Sequence, residues 1–346
     1  MSVLLTTGSL PPTTGREWHL VARPYGRPTP EDFALREAPV PELGEGQILV
    51  RNTYFSVDPY MRLRMNEVAS YLPPFALGRP MDGGAVGEVI ASRDGSRPVG
   101  GHVLHFTGWR EYGVMDAKDA TPVDPSLAPV SAYLGVLGTT GLSAYAGLLE
   151  VGALKEGDAV FVSGAAGAVG SVAGQIARIK GASRVVGSAG SDEKVRLLVE
   201  EYGFDAAFNY KNGEVARLLR EAAPDGIDLY FDNVGGDHLE AALDSLNMYG
   251  RAVICGLISQ YNATEPGPGP RNLEEMMFKR LRLLGMMTYD HSHLRPQFIE
   301  EVSGWLRSGE LTYHETTVTG IENGVEAFLG MLRGDNTGKM LVSLGE

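Results

Sequence analysis

The chain has 346 residues, 43% hydrophobic and 21% charged, which is enough apolar material for more than one core and makes two domains the expected organisation. A formal net charge of −13 argues against a nucleic-acid or anionic-membrane partner, since both select basic surfaces. The single cysteine, Cys255, excludes an intramolecular disulfide and a cysteine-cage metal site.

The opening MSVLLTTGSLPP has no basic stretch, and its apolar run is too short for a signal or a membrane span, so a cytoplasmic location is expected. Pro11, Pro12, Pro24, Pro28, Pro30, Pro39 and Pro41 rule out long helices early on. Short strands are expected at Ile48–Val50, Gly84–Ile90 and Val103–Phe106, each rich in β-formers and bounded by Gly and Pro.

From about Tyr133 strand-like runs alternate with helical spacing. Strands are expected at Ala159–Ser163, Arg184–Gly187, Ala206–Asn209, Ile227–Phe231 and Arg251–Cys255. Helices are expected at Val169–Lys180, Asp192–Tyr202 with Ser191 as N-cap, Glu214–Ala222 and Asp237–Leu246. This alternation means a parallel, doubly wound sheet with right-handed crossovers. Glu265–Pro270 (EPGPGP) is a loop; a last strand at Leu281–Met287 and a helix at Arg295–Arg307 follow. The tail reads as strand His314–Thr319, helix Ile321–Arg333 and strand Lys339–Leu344; periodicity leaves open whether it returns to the first domain.

The central signal is the apolar run from Ala159 into Gly164, Gly167 and Gly170, where a helix begins. Small residues admit the backbone close to a pyrophosphate, and the helix N-terminus offers free N–H groups. The spacing is G-x-x-G-x-x-G rather than G-x-G-x-x-G, and tight helix–sheet packing alone also demands small residues. The second strand ends without an acid and Lys194 follows, which favours a 2′-phosphate and hence NADP. Lys194 also suits an ordinary solvated helix position, and nearby Asp192 keeps NAD open.

Cys255 sits late, at a strand end, where it suits core or cofactor contact rather than metal ligation. His291-x-His293 is the only close histidine pair and lacks a third ligand, so no metal is expected, and hydrogen-bond donors must polarise any carbonyl substrate. The Met276-Met277 and Met286-Met287 pairs suit a core or a subunit interface.

The longer motifs are Phe55-Ser-Val-Asp-Pro-Tyr-Met-Arg62, Gly138-Thr-Thr-Gly-Leu-Ser-Ala-Tyr145, Ala207-Phe-Asn-Tyr-Lys211, Tyr230-Phe-Asp-Asn-Val-Gly-Gly236, Cys255-Gly-Leu-Ile-Ser-Gln-Tyr-Asn262 and Asn336-Thr-Gly-Lys339. On these, nearly end to end, the chain resembles the zinc-independent medium-chain reductases, among them prostaglandin and leukotriene reductases, plant alkenal double-bond reductases and bacterial curcumin reductase. The stretch Ser171–Asn262 is especially similar to the 15-oxoprostaglandin reductase branch.

The resemblance implies an α/β protein: a GroES-like β-rich substrate domain (1–130 and 310–346) and a Rossmann doubly wound NADP-binding domain (131–309). It implies NADPH contacts at Gly167, Ala168, Val169 and Gly170, with Lys194 and Tyr210 on the adenosine 2′-phosphate. Further cofactor contacts are implied at Asn233, at Cys255, Gly256, Leu257, Ile258, Ser259, Gln260 and Tyr261, at Met286, Met287 and Thr288, and at Asn336. It implies Tyr261 as the catalytic donor to the substrate carbonyl, and Tyr71, Phe106 and Thr107 as substrate walls.

The shorter loop around Tyr71, and Thr107 where a tyrosine is commoner, set this pocket apart. Read by position alone, Tyr261 also suits a loop anchor, Tyr210 strand-end packing, Asn336 a turn former and Tyr71 a packed surface ring. The expected reaction is hydride delivery to the β-carbon of an enone or enal. A homodimer through Leu281–Met287 is expected, as in related families. The alternatives are a quinone reductase of the same fold and an NADPH-binding protein without catalysis.

Overall fold

The computed structural model describes residues 4–5, 11–68 and 70–345. Two units separate by contact. One comprises the described residues up to Leu134, with Glu315–Asn336 and the chain from Met340 onward; the other is Gly135–His314 with Thr337–Lys339. The divisions thus fall four and five residues later than the sequence suggests, and a three-residue tail segment goes with the second unit. That segment is held there by backbone: Gly338 N–H donates to Ala166 O (2.8 Å) and Lys339 N–H to His314 O (3.0 Å).

The first unit carries strands β1 (Leu4–Leu5), β2 (Thr14–Leu20), β3 (Phe33–Pro39), β4 (Gln47–Ser56), β5 (Ala85–Ser92), β6 (His102–His105), β7 (Tyr112–Asp116) and β8 (Thr121–Pro122). Up to Leu134 the described α-helix, α1 (Tyr60–Arg64), is short. In the antiparallel main sheet β4 pairs with both β5 and β7. The tail does return: β16 (Lys339–Ser343) pairs antiparallel with β4, placing Val342 opposite Phe55, and β15 (Glu315–Thr319) flanks it. Helix α9 (Gly324–Arg333) adds Val325 and Phe328 to a core with Phe55, Met61 and Trp109, all at most 5% exposed. That burial, at about 25 cal/mol per Å² of apolar surface, is why the tail docks although its period could not reveal it.

The second unit is a six-stranded parallel sheet in the order β11-β10-β9-β12-β13-β14. The strands are β9 (Ala159–Val162), β10 (Arg184–Ala189), β11 (Ala206–Asn209), β12 (Ile227–Asp232), β13 (Leu246–Ile254) and β14 (Arg282–Gly285). The helices are α2 (Thr139–Ala146), α3 (Gly170–Ile179), α4 (Asp192–Glu200), α5 (Val215–Ala222), α6 (Asp237–Ser245), α7 (Glu274–Lys279) and α8 (Arg295–Ser308). The expected α4 cap is present: Ser191 Oγ accepts from Lys194 N–H (3.3 Å). The last strand is shorter than expected, so Met286 and Met287 lie beyond it. No helix of the described residues is long and apolar enough to cross a membrane.

Candidate active site

Strand order reverses between β9 and β12, so their carboxyl ends part and leave the crevice where open α/β sheets bind ligands. The loop leaving β9 enters it. Ala165 N–H donates to Ser188 O and Gly167 N–H to Gly164 O, Gly167 is bridged to Gly338, and the Val169 amide has no backbone partner among the described residues. Ala168 and Val169 are partly exposed, directly ahead of α3. The Val169 amide and the N-terminus of the ten-residue α3 suit a pyrophosphate. A side chain at Gly170 would strike the Gly164 carbonyl, so its smallness is packing as well as access.

The tail segment clamps this loop through Gly338, just after Asn336. Gly338 has φ +64°, and any Cβ there would run into His314 O. We expect Gly338→Ala to weaken dinucleotide binding by roughly tenfold and to lower Tm, through left-handed strain of about 1–2 kcal/mol plus the displaced clamp. Nucleotide titration and thermal melts check this.

The loops after β9, β12 and β13 meet at Asp232, which is fully buried. Its Oδ1 accepts from Tyr230 Oη (2.6 Å), Ser163 Oγ (3.1 Å), Val234 N–H (2.9 Å) and Gly235 N–H (2.8 Å). Its backbone carbonyl accepts from Cys255 and Gly256 N–H. Asn233 donates to the Ser163 carbonyl through Nδ2 (2.8 Å) and to Ser163 Oγ through its own N–H (2.9 Å). Burial raises the Asp232 carboxyl pKa, against the pull of these donors.

From β13 the chain runs Cys255–Tyr261 along the β12 loop: Ile258 N–H donates to Asn233 O and Ser259 Oγ to Val234 O (2.6 Å). The half-buried Tyr261 turns its hydroxyl back to accept from Leu257 N–H (3.3 Å), leaving its proton to be given elsewhere. Burial raises its pKa above the ordinary tyrosine value, with Cys255 and Asp232 adding to this, so it stays a phenol. Cys255 is partly exposed, yet its surroundings push the thiol up to about 12, which makes it a poor nucleophile. Thr288 Oγ1 bonds Ser143 Oγ (2.6 Å), and Met286 N–H donates to Ile254 O (3.3 Å).

At the far end of the crevice Tyr210 follows β11. Its hydroxyl would lie 2.9 Å from a Cβ at Gly190, at the end of β10 and four residues before Lys194. Asp192 Oδ1 accepts from Asn209 Nδ2 (2.8 Å) and Asn212 Nδ2 (3.1 Å), tying the α4 N-terminus to the turn that carries Tyr210.

In the first unit, Tyr71 (46% exposed) and Phe106 (40% exposed) gather on Tyr60, each ring 6.5 Å from it. The Arg64 guanidinium, paired with Asp82, lies 4.0 Å from the Phe75 ring and 5.9 Å from Phe106. Thr107 gives its N–H to His105 Nδ1 (3.1 Å), and the Thr107 hydroxyl also bonds that nitrogen (2.8 Å). His291 and His293 both face Glu150, at 3.3 and 3.2 Å; no group of three or more His, Cys, Asp or Glu fit to hold a metal exists among the described residues.

Sequence reasoning passed over Asp232, Ser163 and the Gly338 clamp, and read Tyr60 only as part of an architectural turn. Asp232 and Gly338 lay inside quoted motifs, but nothing local marks a residue whose partners are some 70 to 170 positions away.

Residues 16–123 match the N-terminal domain of oxidoreductases, and 168–304 match the zinc-binding dehydrogenase model. The chain is 46% identical to a putative NADP-dependent oxidoreductase of Bacillus subtilis, over 94% of this chain and 97% of that one. It is 42% identical to the NADPH-dependent curcumin reductase of Escherichia coli, over 94% and 96%. The structure of CurA from Vibrio vulnificus in complex with NADPH superposes with a TM-score of 0.91 at 40% identity, covering 96% and 99%. With strand-end loops that make a dinucleotide crevice, and likeness of this extent, the chain belongs to the medium-chain oxidoreductase family that includes the curcumin, 2-alkenal and prostaglandin reductases.

Proposed function

We propose that this chain reduces the carbon–carbon double bond of α,β-unsaturated ketones and aldehydes with NADPH. The observation that carries the reading is the pairing of the small-residue loop at the N-terminus of α3, with its open Val169 amide, and a neutral Tyr261 phenol on loops laced together through Asp232. Gly167–Gly170 would cradle the pyrophosphate, and Tyr210 with Lys194 the 2′-phosphate. Asn233, Cys255–Tyr261, Met286–Thr288 and Asn336 would line the rest of the cofactor. Bound NADPH supplies the hydride that adds to the substrate β-carbon. Tyr261 donates a hydrogen bond to the carbonyl oxygen as negative charge gathers there, and a proton reaches the α-carbon from Tyr261 or water.

The first unit would serve as substrate domain, with Tyr71, Phe106 and Thr107 as its wall. The motif likeness across Ser171–Asn262 supports 15-oxoprostaglandin-like enones beside alkenals and curcumin as substrates, acting in the cytoplasm. NADPH oxidation, followed by absorbance against 15-oxoprostaglandin, curcumin, alkenals and small quinones, tests the reading. Turnover of enones and enals is expected. Turnover of quinones alone, or of nothing, overturns it.

The edge strand β14, with Met277 (69% exposed), Phe278 (55%) and Met248 (52%) nearby, supports a homodimer. Sedimentation is expected to give twice the mass of one chain; a monomer would remove the dimer from this reading.

A further inference from the structure

Tyr210 is 37% exposed, on a short 3-10 turn, yet its ring is held. The turn is pinned by Asp192 through Asn209 and Asn212, one on either side. The ring itself meets one aromatic neighbour, His238 of α6, edge-on at 5.3 Å and 77°. His238 is 4% exposed and lies parallel to Phe161 of β9 at 6.5 Å and 9°. Phe161 in turn stacks on Tyr230 (5.0 Å) and Phe208 (5.8 Å). A continuous set of rings therefore runs from the sheet core, beside the strand that feeds the phosphate loop, out to Tyr210.

The Nε2 nitrogen of His238 takes no part in the contact; it is buried without a hydrogen-bond partner among the described residues. What His238 offers Tyr210 is an edge-on contact from a ring buried against Phe161.

We infer that His238 is a positioning residue that braces the Tyr210 ring so that its hydroxyl stands over Gly190, and thereby sets the preference for a 2′-phosphorylated nucleotide. This rests on the reading that Tyr210 holds that phosphate. The physical gain is preorganisation: a tyrosine already fixed in one rotamer loses less entropy when the phosphate arrives. Burial favours the uncharged ring, moving the His238 pKa down to about 4, so the brace is neutral at physiological pH.

The test titrates the full chain with NADPH and NADH separately. His238→Ala is expected to weaken NADPH roughly tenfold and to leave NADH within about twofold, the scale of one charge-assisted hydrogen bond. His238→Phe, which keeps a ring and removes a buried unpaired nitrogen, is expected to retain the wild-type NADPH-to-NADH ratio. If the alanine variant does not fold, His238→Leu fills the volume without a flat face and should show the same selective loss. Equal weakening of both nucleotides, an unchanged ratio in the Ala or Leu variant, or a Phe variant that loses selectivity overturns the brace. Tyr210→Phe separates the two ideas. An unchanged ratio there overturns the phosphate reading itself, whereas a lowered ratio alongside an unaffected His238→Ala defeats the brace alone.

Discussion

Tyr261→Phe should cut enone turnover roughly a hundredfold while NADPH binds almost as before, since one oxyanion donor is worth about 3 kcal/mol of barrier. The structure supplies the reasons for the split. The hydroxyl accepts from Leu257 N–H and so keeps its proton for a substrate, while burial, Cys255 and Asp232 disfavour the phenolate. The backbone of the Ile258–Tyr261 turn is held by Asn233 and Val234, not by the phenol, so the loop outlives the loss of the hydroxyl. Phenylalanine leaves only the Leu257 amide to find water. Stopped-flow single turnovers with saturating NADPH, together with nucleotide titration, check both halves. Turnover within about threefold of wild type would remove Tyr261 from the chemistry.

Acidification should destabilise each unit through one buried histidine. His105 in the first unit is held down to about 3 by burial and by the Arg110 charge; His238 in the second sits at about 4, through burial. Folded, both rings are neutral; unfolded, each takes a proton below about pH 6.5. The stability they contribute is therefore complete above about 6.5 and is lost as pH falls towards the folded values, at about 1.4 kcal/mol per pH unit each. Between about pH 6.5 and 4.5 each unit should lose about 3 kcal/mol, a large share of a typical 5–15 kcal/mol. Protonation would also cost His105 Nδ1 its role as acceptor for Thr107 N–H, beside the proposed substrate wall. Urea melts across this range check the slope: Trp18 and Trp109 report the first unit and Trp305 the second. His238→Phe should flatten the acid slope of the second unit alone. A midpoint that does not move with pH would refute the assignment.

Much of the second unit was legible in the chain. Strand Ala206–Asn209 was placed to the residue, and Ser191 caps α4 as its position implied. Both are set by neighbours a few positions apart, through β-forming runs and cap chemistry. The EPGPGP stretch is outside any helix or strand for the same local reason.

What the sequence determined by itself was the alternation that forces a parallel sheet, the small-residue loop at its first turn, and the family to which these motifs belong. Tertiary structure alone decided that Asp232 laces three loops, that Gly338 clamps the glycine-rich loop after β9 from more than 160 residues away, that β16 completes the first sheet, and that His238 meets Tyr210 edge-on. The physical reason is range. Propensity, capping and period act within a few residues, whereas burial and hydrogen-bond satisfaction choose partners only after the chain has closed on itself.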